Sequence, residues 1–190
     1  MALVVGFSGS PRPDGNTHFL VKEALAAAEA TGAEVRFHDL NATPVQGCQA
    51  CMACKEPGHE GRCAVDDAFT AMHADLQQAE AIIFGAPVYI AYWSGQAKNF
   101  IDRWYCFRSR TAYHFPPIKR AVMVCTCGAG AASYQDLLDK QLSWMGDRLG
   151  MDARGLMAAS LSGKDAASRR PELVSEAKRL GNWLATGQDG

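Results

Sequence analysis

Ala2-Leu3-Val4-Val5-Gly6-Phe7-Ser8-Gly9-Ser10-Pro11-Arg12-Pro13-Asp14-Gly15-Asn16-Thr17 decides how the rest of the chain is read. It opens as an apolar run and passes into a loop rich in Gly, Pro and hydroxyls. After the loop, Leu20, Val21, Ala24, Leu25 and Ala28 recur on one helical face. The stretch therefore predicts a buried strand, a loop and a helix, with Asn16 or Thr17 as N-cap. The first N–H groups of a helix have no intrahelical partner, and the dipole adds partial positive charge there, so this geometry binds phosphate. The loop lacks the Gly-Lys-Ser/Thr ending of a P-loop, which argues against a nucleoside triphosphate. Gly6, Gly9 and Gly15 do not supply the G-x-G-x-x-G of a dinucleotide site. Ser8, Ser10, Asn16 and Thr17, with one cation, Arg12, suit a single terminal phosphate. The alternative is an ordinary βα turn of Ser/Pro-rich composition.

Outward from this stretch, strand and helix patterns alternate. Residues 34–40 read as a second, less buried strand, followed by a long Cys-rich loop over about 41–65. Asp66 or Asp67 caps a helix with Phe69, Met72, Leu76 and Ala79 on one face. Residues 81–86 form a continuous apolar run, as expected of a central parallel strand covered on both faces. Pro87-Val88-Tyr89 ends it, and helix resumes after Ser94. A strand lies within 118–126, and Ser133 opens a helix striped by Tyr134, Leu138, Leu142, Met145 and Leu149. A weaker strand lies within 153–161, and Pro171 starts a last helix. The expected fold is α/β, one domain over 1–190: a doubly wound five-stranded parallel sheet, order 2-1-3-4-5, with helices on both faces. Ligands of such sheets sit outside the carboxyl ends of the strands, where strand order reverses. Here that selects loops 8–17, 87–95 and 126–132.

The first loop, Gly9-Ser10-Pro11-Arg12 with Gly15-Asn16-Thr17, resembles that of the flavodoxin-like NADPH-dependent FMN reductase family. The chain also resembles the iron–sulfur flavoproteins of that superfamily. The resemblance implies FMN as cofactor, its phosphate held by Ser10, Arg12, Asn16 and Thr17. Pro87-Val88-Tyr89, with Gly95, Lys98, Phe100, Ile101, Asp102 and Arg103 following, resembles the family's second flavin loop. Ile90, Trp93 and Ser94 belong to that candidate site, while Asp102 and Arg103 are expected to be structural. Tyr92 and Trp93 read equally as flavin walls or as core packing. Thr126, Gly128 and Gly130 resemble the third loop, on the pyrimidine side of the flavin. Cys127 reads as a small buried residue, and His18 and His59 are expected to face solvent.

The second strong signal is Cys48-x-x-Cys51-x-x-Cys54 with Cys63 eight residues further on. Thiolates at such separations can wrap one cluster, and four match the ligand count of [4Fe–4S]. Structural zinc more often uses two separated pairs. The loop is similar to the cluster motif of the iron–sulfur flavoproteins, though its last gap is longer. Cluster, zinc and free thiols all remain open readings.

Hydrophobic content of 48% and charged content of 21% over 190 residues suit a globular protein with a sizeable core. A net charge of −1 points away from nucleic acid. The longest uncharged run, 81–97, carries Gly85, Pro87 and Gly95 and is short for a membrane span. Seven cysteines without a secretion signal suggest free thiols in the cytoplasm. The reading that follows from the resemblance is an FMN-dependent NAD(P)H oxidoreductase passing electrons to a small acceptor such as a quinone or flavin. NADH and NADPH are not distinguished. The alternative is a relay between protein partners through FMN and [4Fe–4S], and a third is thiol–disulfide chemistry at Cys51 and Cys54. Trp104, Tyr105 and Phe107, with Tyr113 and Phe115, exceed what one helix face buries and so predict an interface. The resemblance likewise implies a homodimer or homotetramer.

Overall fold

The computed structural model describes residues 1–59, 61–109 and 114–189. β1 (Leu3–Ser8) is buried along its whole length. It pairs in parallel with β2 (Glu34–Asp39) on one side and β3 (Ala81–Tyr89) on the other. The register sets Phe7 beside His38 and Phe84. A two-residue strand, β4 (Tyr92–Trp93), folds back antiparallel on the end of β3. β5 (Arg120–Thr126) and β6 (Asp152–Ala158) complete the sheet in parallel, giving the order β2-β1-β3-β5-β6. Leaving out the hairpin strand, this is the expected 2-1-3-4-5.

Strand side chains alternate between faces, and the core divides accordingly. Val4, Ile83, Val122 and Val124 pack against α1 (Asn16–Ala30) and α5 (Pro171–Thr186). Val5, Phe7, Ile82, Phe84 and Met123 face α2 (Phe69–Gln78), α3 (Gly95–Arg103) and α4 (Gln135–Leu149). Both faces are therefore covered, which is why β1 and β3 read as unbroken apolar runs. No described helix is long and apolar enough to cross a membrane.

Several local expectations need correction. Gly15, not Asn16 or Thr17, stands at the cap position of α1. Asp67 does serve α2: its Oδ1 accepts the Phe69 N–H at 3.0 Å. Pro87-Val88-Tyr89 extends β3 instead of ending it, because Val88 and Tyr89 pair with Trp93 and Tyr92. A 3₁₀ turn, Ala131–Ser133, precedes α4, which starts two residues later than Ser133. The aromatic stretch is largely core: Trp104 and Phe107 are buried, and Trp104 packs on Phe84, Phe100, Phe115 and Trp144. Tyr105 is 37% exposed, and Tyr113 lies outside the described residues. The predicted apolar excess is absorbed by the space between α3, α4 and the sheet.

α1 and α5 touch backbone to backbone at Gly181. A Cβ there would lie 2.0 Å from the Ala24 carbonyl oxygen, so the two helices would have to separate. Gly181→Ala should cost about 1–3 kcal/mol through overpacking, which at this chain length lowers the melting temperature by roughly 3–10 °C. An unchanged thermal melt would show that the close approach is not needed.

Candidate functional site

The three loops at the carboxyl edge are fastened to one another by hydrogen bonds that need small residues. The Gly9 N–H donates to the Gly85 carbonyl at 2.8 Å. Ser94 Oγ donates to the Gly9 carbonyl at 2.6 Å and accepts the Ala97 N–H at 3.3 Å, so one hydroxyl caps α3 and holds the first loop. Within that loop, Ser10 Oγ accepts the Arg12 N–H and donates to the Arg12 carbonyl, both at 3.1 Å. Buried Ser8 accepts the Ser10 N–H at 3.4 Å. Thr17 and Thr126 share a buried hydroxyl–hydroxyl bond of 2.6 Å, which ties α1 to the loop after β5.

These fastenings leave a concave space lined by Ser10, Arg12, Gly15, Asn16, Thr17, Pro87, Tyr89 and Thr126. An adjoining cleft shares Arg12, Asn16, Pro87, Tyr89 and Thr126 and adds Val88, Cys127 and Gly128. Nine candidates from the sequence thus line this pair of adjoining spaces: Ser10, Arg12, Asn16, Thr17, Pro87, Val88, Tyr89, Thr126 and Gly128. Ser8, Ile90, Trp93, Ser94 and Gly130 do not line it. Ser8 and Ser94 lie beneath the loop as its fastenings, and Trp93 is buried in the core. Ile90, 99% exposed, sits at the hairpin tip. Ile90 and Ala91 both have positive φ, at 45° and 63°. A two-residue hairpin of that kind usually takes Asn-Gly, so the β-branched Ile90 is strained there.

The donors and charge at one end suit phosphate, with helix N–H groups, hydroxyls and Arg12. Pro87, Val88 and Tyr89 supply the apolar and aromatic surface that a flat ring requires. The residues present therefore fit FMN. Asn16 has a different part from a simple ligand. Its Nδ2 donates to the Gly163 carbonyl and its Oδ1 accepts the Ala167 N–H, both at 2.8 Å, so it anchors the loop after β6. That loop contributes Leu161, Gly163 and Lys164 to the space, and sequence reading missed it. Its Ser-Leu-Ser-Gly-Lys composition at a strand end was the available signal.

The cysteine loop is organised around Arg103, whose side chain is fully buried. Nε donates to Cys63 Sγ at 3.2 Å, and Nη2 to the Val65 carbonyl at 2.8 Å. Nη1 donates to the Gln46 carbonyl at 3.0 Å and pairs with Asp67 Oδ2 at 2.8 Å. The guanidinium lies over Phe69, 4.5 Å from the ring centre. Arg103 is structural, as expected. Cys48, Cys51, Cys54 and Cys63 line one mostly apolar cleft with Arg103, Tyr105 and Cys106. Ala50 and Met52 take positive φ, 51° and 62°, as the chain turns between these thiols. Among the described residues no three His, Cys, Asp or Glu side chains are grouped to hold a metal ion. The four thiols line the cleft without being drawn together as a ligand set for zinc or for a cluster.

Burial pushes the Cys106 thiol up to about 12, with Cys63 and Cys54 adding to it, and the Cys125 thiol likewise to about 12. Cys127 is buried as expected, and its thiol is also raised by burial. His18 corrects the solvent-facing expectation, being 5% exposed and edge-on to Phe37. Its Nδ1 is 3.9 Å from Asp39 Oδ2, and burial lowers its pKa. His59 is exposed, as read from sequence.

The sequence model of the family described as NADPH-dependent FMN reductase matches residues 2–159. An iron-sulfur flavoprotein of Methanocaldococcus jannaschii is 42% identical over 100 residues, 53% of this chain and 50% of that protein. An iron-sulfur flavoprotein of Methanosarcina thermophila is 32% identical over 100 residues, 53% of this chain and 51% of that one. The matches span about half the length of these curated relatives. The NAD(P)H:quinone oxidoreductase from Methanothermobacter marburgensis superposes with a TM-score of 0.73 at 16% identity, covering 97% of this chain and 96% of that one. An FMN-dependent NADH-azoreductase from Bacillus anthracis, solved in complex with FMN, gives 0.70 at 13% identity, covering 98% and 100%. At such identities the structural likeness shows a shared flavodoxin-like fold.

Arg103→Met leaves Asp67 without its cation and two carbonyls without donors, and should cost about 3 kcal/mol. A urea midpoint equal to wild type would contradict this. Cys106 and Cys125 keep their protons in the folded state up to about 12, whereas the unfolded chain releases them near the ordinary 9.0. The folded state then binds more protons, so stability falls as pH rises from about 9 to about 12. Urea midpoints across that range should decline, and less so in Cys106→Ser and Cys125→Ser variants. A flat profile would contradict the burial of these thiols.

Proposed function

The chain belongs to the NADPH-dependent FMN reductase family, and we propose that it binds FMN across its three edge loops and passes electrons from NAD(P)H to a small acceptor such as a quinone or flavin. One observation carries this reading. Ser10, Arg12 and Thr17 line the same space as Pro87, Tyr89 and Thr126. A phosphate end and a ring end thereby meet where strand order reverses.

FMN held there would supply two-electron redox chemistry between a nicotinamide and the acceptor. The chain supplies binding and orientation. Arg12 and the N–H groups opening α1 would face the phosphate. The Thr17–Thr126 bond fixes the spacing between the first and third loops. Ser94 holds the first loop against α3 and keeps it from collapsing into the ligand space. Tyr89, half exposed beside the cleft, leaves one side open to an incoming substrate.

A second reading adds a [4Fe–4S] cluster and relay to protein partners. Its support is the cleft lined by Cys48, Cys51, Cys54 and Cys63, together with relatives called iron-sulfur flavoproteins. Those four thiols would be the ligands, and the buried Arg103 N–H at Cys63 would remain as a hydrogen bond to sulfur. A homodimer or homotetramer is proposed under either reading, with exposed Ile90 and Tyr92 as candidate contact residues. So is a reducing, cytoplasmic setting, which would keep such exposed thiols as Cys48 and Cys51 free.

FMN titrated with the purified chain should lose fluorescence to saturation at one flavin per chain. Arg12→Gln should weaken binding by about tenfold or more, as loss of a charge-assisted phosphate contact does. Unquenched FMN at micromolar protein would overturn the flavin reading. Iron and sulfide assayed after anaerobic purification decide between the readings: about four of each per chain favours the relay, and none favours the simple reductase.

A further inference from the structure

The phosphate end carries an acid as well as a base. Asp14 and Arg12 lie in the same loop, so the loop's own side chains sum to no net charge. That is a poor match for a phosphate dianion. The compensation comes from a position 150 residues away in sequence: Lys164 on the loop after β6 pairs with Asp14. Lys164 also lines the space shared by Ser10, Arg12, Gly15, Asn16 and Thr17. Its reach is preset, because Asn16 holds the loop on both sides of it, at Gly163 and Ala167. An ammonium has three donors and no fixed fork, so one Lys can serve a carboxylate and a phosphate oxygen together. Lys164 lies beyond residue 159, where the family match ends.

We infer that Lys164 is a second cation of the phosphate end, and that it selects phosphorylated flavin over riboflavin. The inference rests on the flavin reading. Arg12 reaches the space from the first loop and Lys164 from the loop after β6, so both cations line it. Asp14 then acts as the parking partner of Lys164 and as an electrostatic brake on anion binding. Both members of the pair are well exposed, 60% and 61% by side chain, so neither supports the core.

The test compares FMN and riboflavin affinities by fluorescence quenching in wild type, Lys164→Gln, Asp14→Asn and the double variant. Melting temperatures are recorded alongside to confirm folding. Lys164→Gln should weaken FMN by about tenfold and leave riboflavin within about twofold, since only FMN carries the charge. Asp14→Asn should tighten FMN by about three- to fivefold, and the double variant should return close to wild type, each difference shrinking at high salt. If the pair is only a latch, both single variants weaken FMN and riboflavin alike, and the inference falls. It falls equally if Lys164→Gln leaves FMN affinity unchanged. A wild-type chain that binds neither flavin overturns the flavin reading itself, and this inference with it.

Discussion

Ser94 Oγ donates to the carbonyl of Gly9, 2.6 Å away and out of reach of water. The site depends on that bond and on its neighbour from the Gly9 N–H to the Gly85 carbonyl. Together they press the first loop onto β3 and α3 at the point where strand order reverses. Only a residue without a Cβ fits: a methyl group on Gly9 would meet the Ala97 Cβ at 2.6 Å. Buried backbone groups in a loop must be paired, and here pairing them sets the loop's position. The N–H groups opening α1 are then held at one end of a space whose other end is formed by Pro87–Tyr89. Thr17 and Thr126 close the third side with a buried hydroxyl–hydroxyl hydrogen bond.

The cysteine loop is held by a different device. Cys48 and Cys51 are exposed, whereas Cys54 is buried in the core and Cys63 packs against it. A buried guanidinium does the fixing, with donors to Gln46, Cys63, Val65 and Asp67 from one side chain on α3. Lys55 adds a second anchor by donating to the Tyr105 and Arg108 carbonyls. Burying a charge is costly unless it is fully satisfied, so Arg103 admits few arrangements of the loop around it. α3 thus serves both regions: Ser94 at its start holds the first loop, and Arg103 at its end holds the thiols.

Periodicity made the parallel sheet and the two-faced core legible, because β1, β3 and β5 carry apolar residues on both sides and so read as continuous runs; the strand order came with the flavodoxin-like resemblance. The first loop was legible because its residue types follow from backbone needs. Other features depend on partners distant in sequence. Nothing local says that Asn16 anchors residues 163 and 167, or that Lys164 crosses to Asp14. The hairpin of β3 and β4 was hidden because its turn is Ile90-Ala91, where a hairpin of this kind usually carries Asn-Gly. His18 faced inward for a reason of tertiary structure, the cover that Phe37 and Asp39 provide. Trp104 and Phe107 read as surplus only because the sequence does not show how much room α4 leaves against the sheet.

A crystal structure of the chain grown with FMN tests the central claim most directly. The account predicts the phosphate against Ser10, Arg12 and the first N–H groups of α1, with the ring beside Pro87–Tyr89 and Gly128. Flavin bound elsewhere, or the same loops closed without it at saturating FMN, would contradict the account.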